Sequence, residues 1–284
     1  MKQEKQNLIR TVVVGLLATS MIWTGGKALA QASYPSPEAA ADAFVSSLAT
    51  GDDIKLKHVL GADFKRYVPP GAITQEDIYT FLAAWSKHHE VVMSGPATAA
   101  FIVGQHDWSF PAPLIKGAKG WHFDVREGGR EMLRRRMNRH EEAAIHTLQD
   151  LCDAQERYRS LVGQGKPAQR IVSHEGQYDG LYWESDVQAP VQSLLTDDAL
   201  VMGADVPVDA ALHGYRYAIL PSAGDETGCA FAAWPAAYGS SGEYSFLIGP
   251  GANVMERDLG KQSSRADFSR IGPGTNAKWT PVVP

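Results

Sequence analysis

Apolar residues recur at two different periods along this chain, and the change between them marks out its elements. In SPEAAADAFVSSLATGD, Ala40, Ala41, Phe44 and Leu48 fall three or four positions apart, which places them on one face of a helix. Ser36 stands where an N-cap belongs, Pro37 takes the first helical position and Glu38 the first turn, where a carboxylate complements the helix dipole. A brief second helix is expected over 54–60. A third follows in TQEDIYTFLAAWSKHH, where Ile78, Phe81, Leu82 and Trp85 form the apolar stripe, and Thr74 with Asp77 forms an aspartate version of the capping box. From Ala97 the period shortens to two, and TAAFIVGQHDWSFPAPLIKGAKGWHFDV reads as three strands broken by a proline-containing segment and the turn KGAKG.

The helical period then returns in REGGREMLRRRMNRHEEAAIHTLQDLCDAQERYRSLV, with Ile145, Leu148, Leu151, Cys152, Gln155 and Tyr158 along one face. A boundary near Gly128 and Gly129 divides the chain into 33–127 and 128–284. Beyond the helix comes a connection with short elements, and then alternation resumes. Tyr215, Tyr217 and Ile219 face one way, followed by Phe231 and Ala233, by Tyr244, Phe246 and Ile248, and by Val254. The expected fold class is α+β: N-terminal helices on a curved antiparallel sheet, then a long helix with an antiparallel meander.

The small-residue knot YGSSG lies between two of these strands, where a meander must reverse, and Gly and Ser serve reversals. A nucleophile elbow needs Gly-x-Ser-x-Gly on a strand-to-helix turn. Here Gly239 and Ser241 are followed by Glu243 at the last required position, and a strand comes next. The serines are therefore expected to turn the chain.

The first 32 residues differ in kind. Lys2, Lys5 and Arg10 precede an apolar run at 11–23, which is shorter than the roughly 20 residues a membrane span needs. A Gly-Gly pair and ALAQA follow, as in a secretory signal peptide. Cleavage between Ala32 and Ser33 is expected, with Ala30 as the alternative position and an uncleaved N-terminal anchor as the alternative fate. No later segment could span a membrane, so the mature chain is expected to be exported, to the periplasm. In an oxidising compartment Cys152 and Cys229 could pair, or could be independent small core residues.

Composition narrows the partners. The 284 residues are 44% apolar and 21% charged, with a formal net charge of -5, and the basic residues are scattered, so nucleic acid is not expected. The densest basic cluster, Arg134 to Arg136, reads as a solvated helix face. HEEAAIH resembles a zinc motif, but its histidines stand six apart, about 600° around a helix, where both must share a face. His88 and His89 fit a helix C-terminus. With no C-x-x-C, P-loop or Ser-x-x-Lys sequence, no metal or cofactor is expected and the reading leans away from an enzyme.

Two aromatic groups remain. Trp85, His106, Asp107, Trp108, Trp121 and Asp124 could line a ligand pocket in the first half, although rings at strand period more often fill a core. Tyr178, Asp179, Tyr182, Trp183 and Trp234 could form an exposed interaction patch, although burial under the long connection is the stronger expectation.

Six segments, SPEAAADAFVSSLATGD, DWSFPAPLIKGAKGWHFD, NRHEEAAIHTLQDLCDAQERY, YDGLYW, HGYRYAIL and AAWPAAYGSSGEYSFLIGPGANVMERDLG, together resemble the exported bacterial proteins grouped as domain-of-unknown-function family 2950. The likeness covers nearly the whole mature chain and implies export without assigning an activity. The loop PSAGDETGCAFAAWP is shorter than is usual in that family. The pattern of the first half is similar to the NTF2-like and cystatin-like folds. The second half, with Asn138 and Ala154-Gln155 to Tyr158 on its helix, loosely resembles the globular part of type IV pilins and pseudopilins. Together these imply a non-catalytic interaction protein of the cell envelope, whose partners are envelope proteins or a pilus or secretion-type assembly. The alternative is a small-molecule binder or unrecognised hydrolase using the aromatic pocket.

Overall fold

The computed structural model describes residues 30–67, 73–105, 108–220, 229–249, 251–261 and 279–282. Residues 1–29 of the expected leader fall outside these residues, as do His106 and Asp107.

Helix α1 (Pro37–Ala49) starts as its sequence dictates, with the Ser36 side chain accepting from the Ala39 amide, and α2 (Asp53–Leu60) follows directly. Helix α3 (Gln75–Lys87) carries the full capping box, Thr74 and Asp77 each accepting from the other's backbone amide. Its C-cap is His88, so His89 belongs instead to strand β1 (His89–Gly95). This strand escapes sequence reading because its residues are mostly exposed and show no alternation. It pairs antiparallel with β2 (Thr98–Val103) in a five-stranded sheet completed by β3 (Trp108–Ser109), β4 (Leu114–Gly117) and β5 (Gly120–Phe123). The path runs β1-β2-β4-β5, and β3 pairs with β2. At the β5 edge Tyr34 and Trp121 exchange backbone hydrogen bonds, each 2.8 Å.

Helix α4 (Val125–Leu161) is one continuous element of 37 residues, about 55 Å long at 1.5 Å per residue. Asp124 caps it by accepting from the Glu127 amide. Gly128 and Gly129 lie inside its first turns. A Cβ on Gly128 would come within 2.7 Å of the Ala112 Cβ, and one on Gly129 within 3.0 Å of the Tyr67 side chain. The pair, read from sequence as a boundary, thus lets the helix pack closely on Tyr67 and on Ala112, which lies between β3 and β4. Two separate hydrophobic clusters accompany the helix. One is built from α1, α2 and the first sheet around Phe44, Phe101, Leu114 and Phe123, and the other around Leu148, Leu151, Tyr215, Phe231 and Phe246. The predicted stripe of α4 faces the second: Leu148 and Leu151 are fully buried, and Cys152, Gln155 and Tyr158 nearly so.

After α4, β6 (Arg170–Val172) and β7 (Gly180–Tyr182) form a short parallel pair. A long connection with two 3-10 turns leads to the second five-stranded antiparallel sheet: β8 (Tyr215–Ile219), β9 (Phe231–Pro235), β10 (Tyr244–Ile248), β11 (Val254–Asp258) and β12 (Thr280–Pro281), in the order β12-β11-β10-β9-β8. The fold class is therefore α+β. Strand β9 departs from simple alternation because it is buried along its whole length: Phe231 and Ala233 face α4, while Ala232 and Trp234 join a further cluster with Leu220 and Leu247 on the opposite face. Cys152 on α4 and Cys229 just before β9 form a disulfide, so the pairing that sequence left open is made.

Candidate functional site

The described aromatic residues of the first half pack against one another. Phe101, fully buried, stacks on Phe110 with centroids 4.5 Å apart and meets Trp85 edge-on at 5.5 Å, and Phe44, Phe81 and Phe123 close the remaining sides. Trp121 is buried in the same cluster, and Trp85 lies flat against the His89 ring at 4.0 Å. Trp108 is 45% exposed under the Arg135 guanidinium, and Asp124 is spent on capping α4. Of the described members of the expected pocket, Trp85 and Trp121 thus belong to a packed core, and Trp108 and Asp124 lie outside it. A smaller cleft of about 420 Å³ lies outside that core, where Asp124 is the one member of the set to line it.

The second-half aromatics do not make an exposed patch. Tyr182, Trp183 and Trp234 are buried, and Trp234 lies in the cluster on the far face of the second sheet. Asp179 accepts from the backbone amide of His174 at 2.9 Å and from its ring Nδ1 at 2.6 Å, and Arg170 donates to the same ring. Burial pushes the Asp179 carboxyl up, but the His174 bonds and the nearby Arg170 charge outweigh it and hold the group below its ordinary range. Tyr178 donates to Asp186 at 2.6 Å. These bonds tie the connection to β7.

The YGSSG reversal is docked on α4. His140 Nδ1 lies 3.0 Å from the Ser241 carbonyl, which can only accept, so the ring carries its proton on Nδ1. Glu141 accepts from the amides of Glu243 at 2.8 Å and Tyr244 at 3.2 Å. Ser241 Oγ bonds both the amide and the carbonyl of Ala237, so the hydroxyl is used in the turn. A Cβ on Gly242 would overlap the hydroxyl of buried Tyr215. HEEAAIH therefore works as a clasp, and among the described residues no cluster of His, Cys, Asp or Glu could hold a metal ion.

Burial lowers the His140 pKa, and Arg136, Arg139 and His213 lower it further against the opposing bond to Ser241. A folded pKa below the unfolded value of about 6.5 means that the stability from neutral His140 is complete above that pH and drains away as pH falls through the folded pKa. The melting temperature of the protein should accordingly fall more steeply between about pH 7 and about pH 5 than that of His140→Gln. Parallel melting profiles of the two proteins would refute this.

A concavity of about 1440 Å³ forms an open groove between α4 and the connection 183–213. Its floor includes the buried side chains Leu151, Ala154, Trp183, Leu194 and Met202. One wall is the exposed α4 row Asp150, Asp153 and Arg157, and the other carries Asp186, Asp197 and Asp198. The connection is held by its own bonds: Leu194 N donates to the Leu181 carbonyl, Trp183 N to Ser193 Oγ at 3.2 Å, and Tyr182 Oη to Asp197 at 2.9 Å. The Gln188 amide and the Tyr178 hydroxyl hold the Asp186 carboxyl below its ordinary pKa. Five aspartates against one arginine give the groove a negative rim over an apolar floor. Sequence reading found Tyr182 and Trp183 but missed the rim, whose carboxylates come from a helix face and from a connection without periodicity.

A family described as Protein of unknown function (DUF2950) matches residues 31–282. No curated protein matches the chain, and no solved structure does.

Proposed function

The chain belongs to the DUF2950 family, whose description carries no activity, and on that premise we propose that it is an exported, non-catalytic binding protein whose groove takes a basic polypeptide segment of an envelope protein. The groove carries this reading. Its volume of about 1440 Å³ exceeds the roughly 300–1,000 Å³ of pockets that enclose small molecules. Its open shape and apolar floor suit an extended or helical segment that buries side chains along its length. The five aspartates favour lysine and arginine at the edges of such a segment, through charge complementarity that sets specificity and association rate.

Export is supported by the disulfide, because thiol pairs persist as disulfides in oxidising compartments and are rare in a reducing cytosol. It is supported also by the basic and apolar start of the chain. The order of elements in the second half, a long helix and then a meander, leaves a pilus or secretion-type assembly as a source of the segment.

Titration of lysine-rich and aspartate-rich peptides, followed through the fluorescence of Trp183 beside the groove, tests the assignment. Lysine-rich peptides should bind and weaken as salt rises. An Asp150→Lys, Asp153→Lys double variant, altered only on exposed helix positions, should lose affinity about tenfold or more. Equal binding of both peptide classes, or a double variant that binds like the parent, would overturn the groove as the binding site.

A further inference from the structure

The first described residues finish a helix. An α-helix leaves its last carbonyls without internal partners, and in α2 two of these are met from upstream in the chain. The Ala32 amide donates to the His58 carbonyl at 2.7 Å, and Gln31 Nε2 reaches the Val59 carbonyl at 3.3 Å. The same Nε2 donates to the Phe123 carbonyl at 2.8 Å, which joins α2 to the end of β5. The Gln31 side chain also lies over Gly61, the C-cap of α2, so close that a Cβ there would be 3.6 Å from its Cδ. Gln31 and Ala32 are both half-buried, whereas Ala30 is exposed.

Two bonds near the end of the leader have small residues at the positions a signal peptidase reads: Ala30–Gln31, preceded by Ala28 and Ala30, and Ala32–Ser33, preceded by Ala30 and Ala32. The folded chain distinguishes them. Cleavage after Ala32 would discard both residues that cap α2, and cleavage after Ala30 would keep every contact described above. We infer that the leader is removed between Ala30 and Gln31, so that the mature protein begins with the residue that caps α2 and links it to β5. The family match also starts at Gln31. The inference rests on the export part of the proposed function, and it revises the cut expected from sequence. The reaction is a hydrolysis: a signal peptidase adds one water across the bond, which leaves a carboxylate on Ala30 and an ammonium on Gln31.

The test is the intact mass and N-terminal peptide sequence of protein made from the full chain with its own leader and recovered from the cell envelope. A start at Gln31, as the free amine or as its lactam, is the expected result. A start at Ser33 overturns the assignment and leaves export standing, and an envelope protein that retains residues 1–30 likewise overturns it. Full-length protein confined to the cytosol would overturn export itself. Purified chains beginning at Gln31 and at Ser33 provide a second measurement. The shorter should melt lower by about 2–6 °C, as expected for the loss of a few hydrogen bonds in a protein of this size, and identical melting would remove the capping argument.

Discussion

A Cys152→Ala, Cys229→Ala double variant should melt about 9–18 °C below the oxidised protein, and a reducing agent should bring the parent down to the same value. The magnitude comes from the length of chain that the bridge encloses. The two cysteines stand 77 positions apart, so the loop-closure entropy removed from the unfolded chain amounts to about 4.5 kcal/mol, and each kcal/mol moves the melting point of a protein this large by about 2–4 °C. Alanine is the suitable replacement because both cysteines are buried, at 8% and 9% exposure, where a serine hydroxyl would add a desolvation cost of its own. Calorimetry with and without reductant measures the effect. A shift below about 2 °C would mean that the bridge constrains little, and the argument for an oxidising compartment would lose its physical basis.

Phe101→Ala is the second large effect, and it decides between a filled and a hollow first half. Phe101 has no exposed surface and lies within 6.4 Å, centroid to centroid, of five other rings: Phe44, Phe81, Trp85, Phe110 and Phe123. Truncating a phenylalanine in such surroundings costs about 3–5 kcal/mol, through lost transfer free energy and the cavity left behind. Urea unfolding followed by fluorescence of the neighbouring tryptophans gives the number. If the loss stays under about 1 kcal/mol, or if added apolar ligands stabilise the parent, the rings line a usable pocket and the alternative small-molecule reading returns.

What the sequence made legible follows the physics of each element. Ser36, Pro37, Thr74 and Asp77 announce helix starts because caps are local, needing partners within three residues. The stripe of α4 was readable because only one side of that helix meets the second core. Strand β1 was not, since its residues His89, Glu90, Val92, Met93 and Ser94 are exposed on either side of the pleat and leave no alternation to detect. Strand β9 hid in the opposite way, with apolar residues needed on both faces. Tertiary pairings such as His140 with Ser241, 101 positions apart, carry no local signal at all. The groove rim fails for the same reason, since Asp150 and Asp197 come to line one groove only once the connection has folded back to Tyr182.

The arginine cluster shows how residue type alone can mislead. Arg134 pairs with Glu127 and Glu131 on the helix surface, as a solvated charge run should. Arg135, one position on, donates to both the carbonyl and the hydroxyl of Ser109 at 2.8 Å, and so binds α4 to β3. Arg136 reaches the carbonyl of Ser240 in the docked turn at 3.3 Å. Consecutive arginines thus reach the first sheet and the turn of the second, because a helix turns by about 100° between them.

That rotation fixes the spacing along α4. Val125 packs with the first core and Ala144 with the second, and the same rigid rod runs between them. One residue inserted or removed in that interval would swing the downstream contacts by about 100° and shift them by about 1.5 Å. Seven residues, close to two whole turns, would nearly restore the phase and lengthen the molecule. The segment behaves as a keyed shaft, whose length can change only in steps close to two whole turns without turning one set of contacts away from its core.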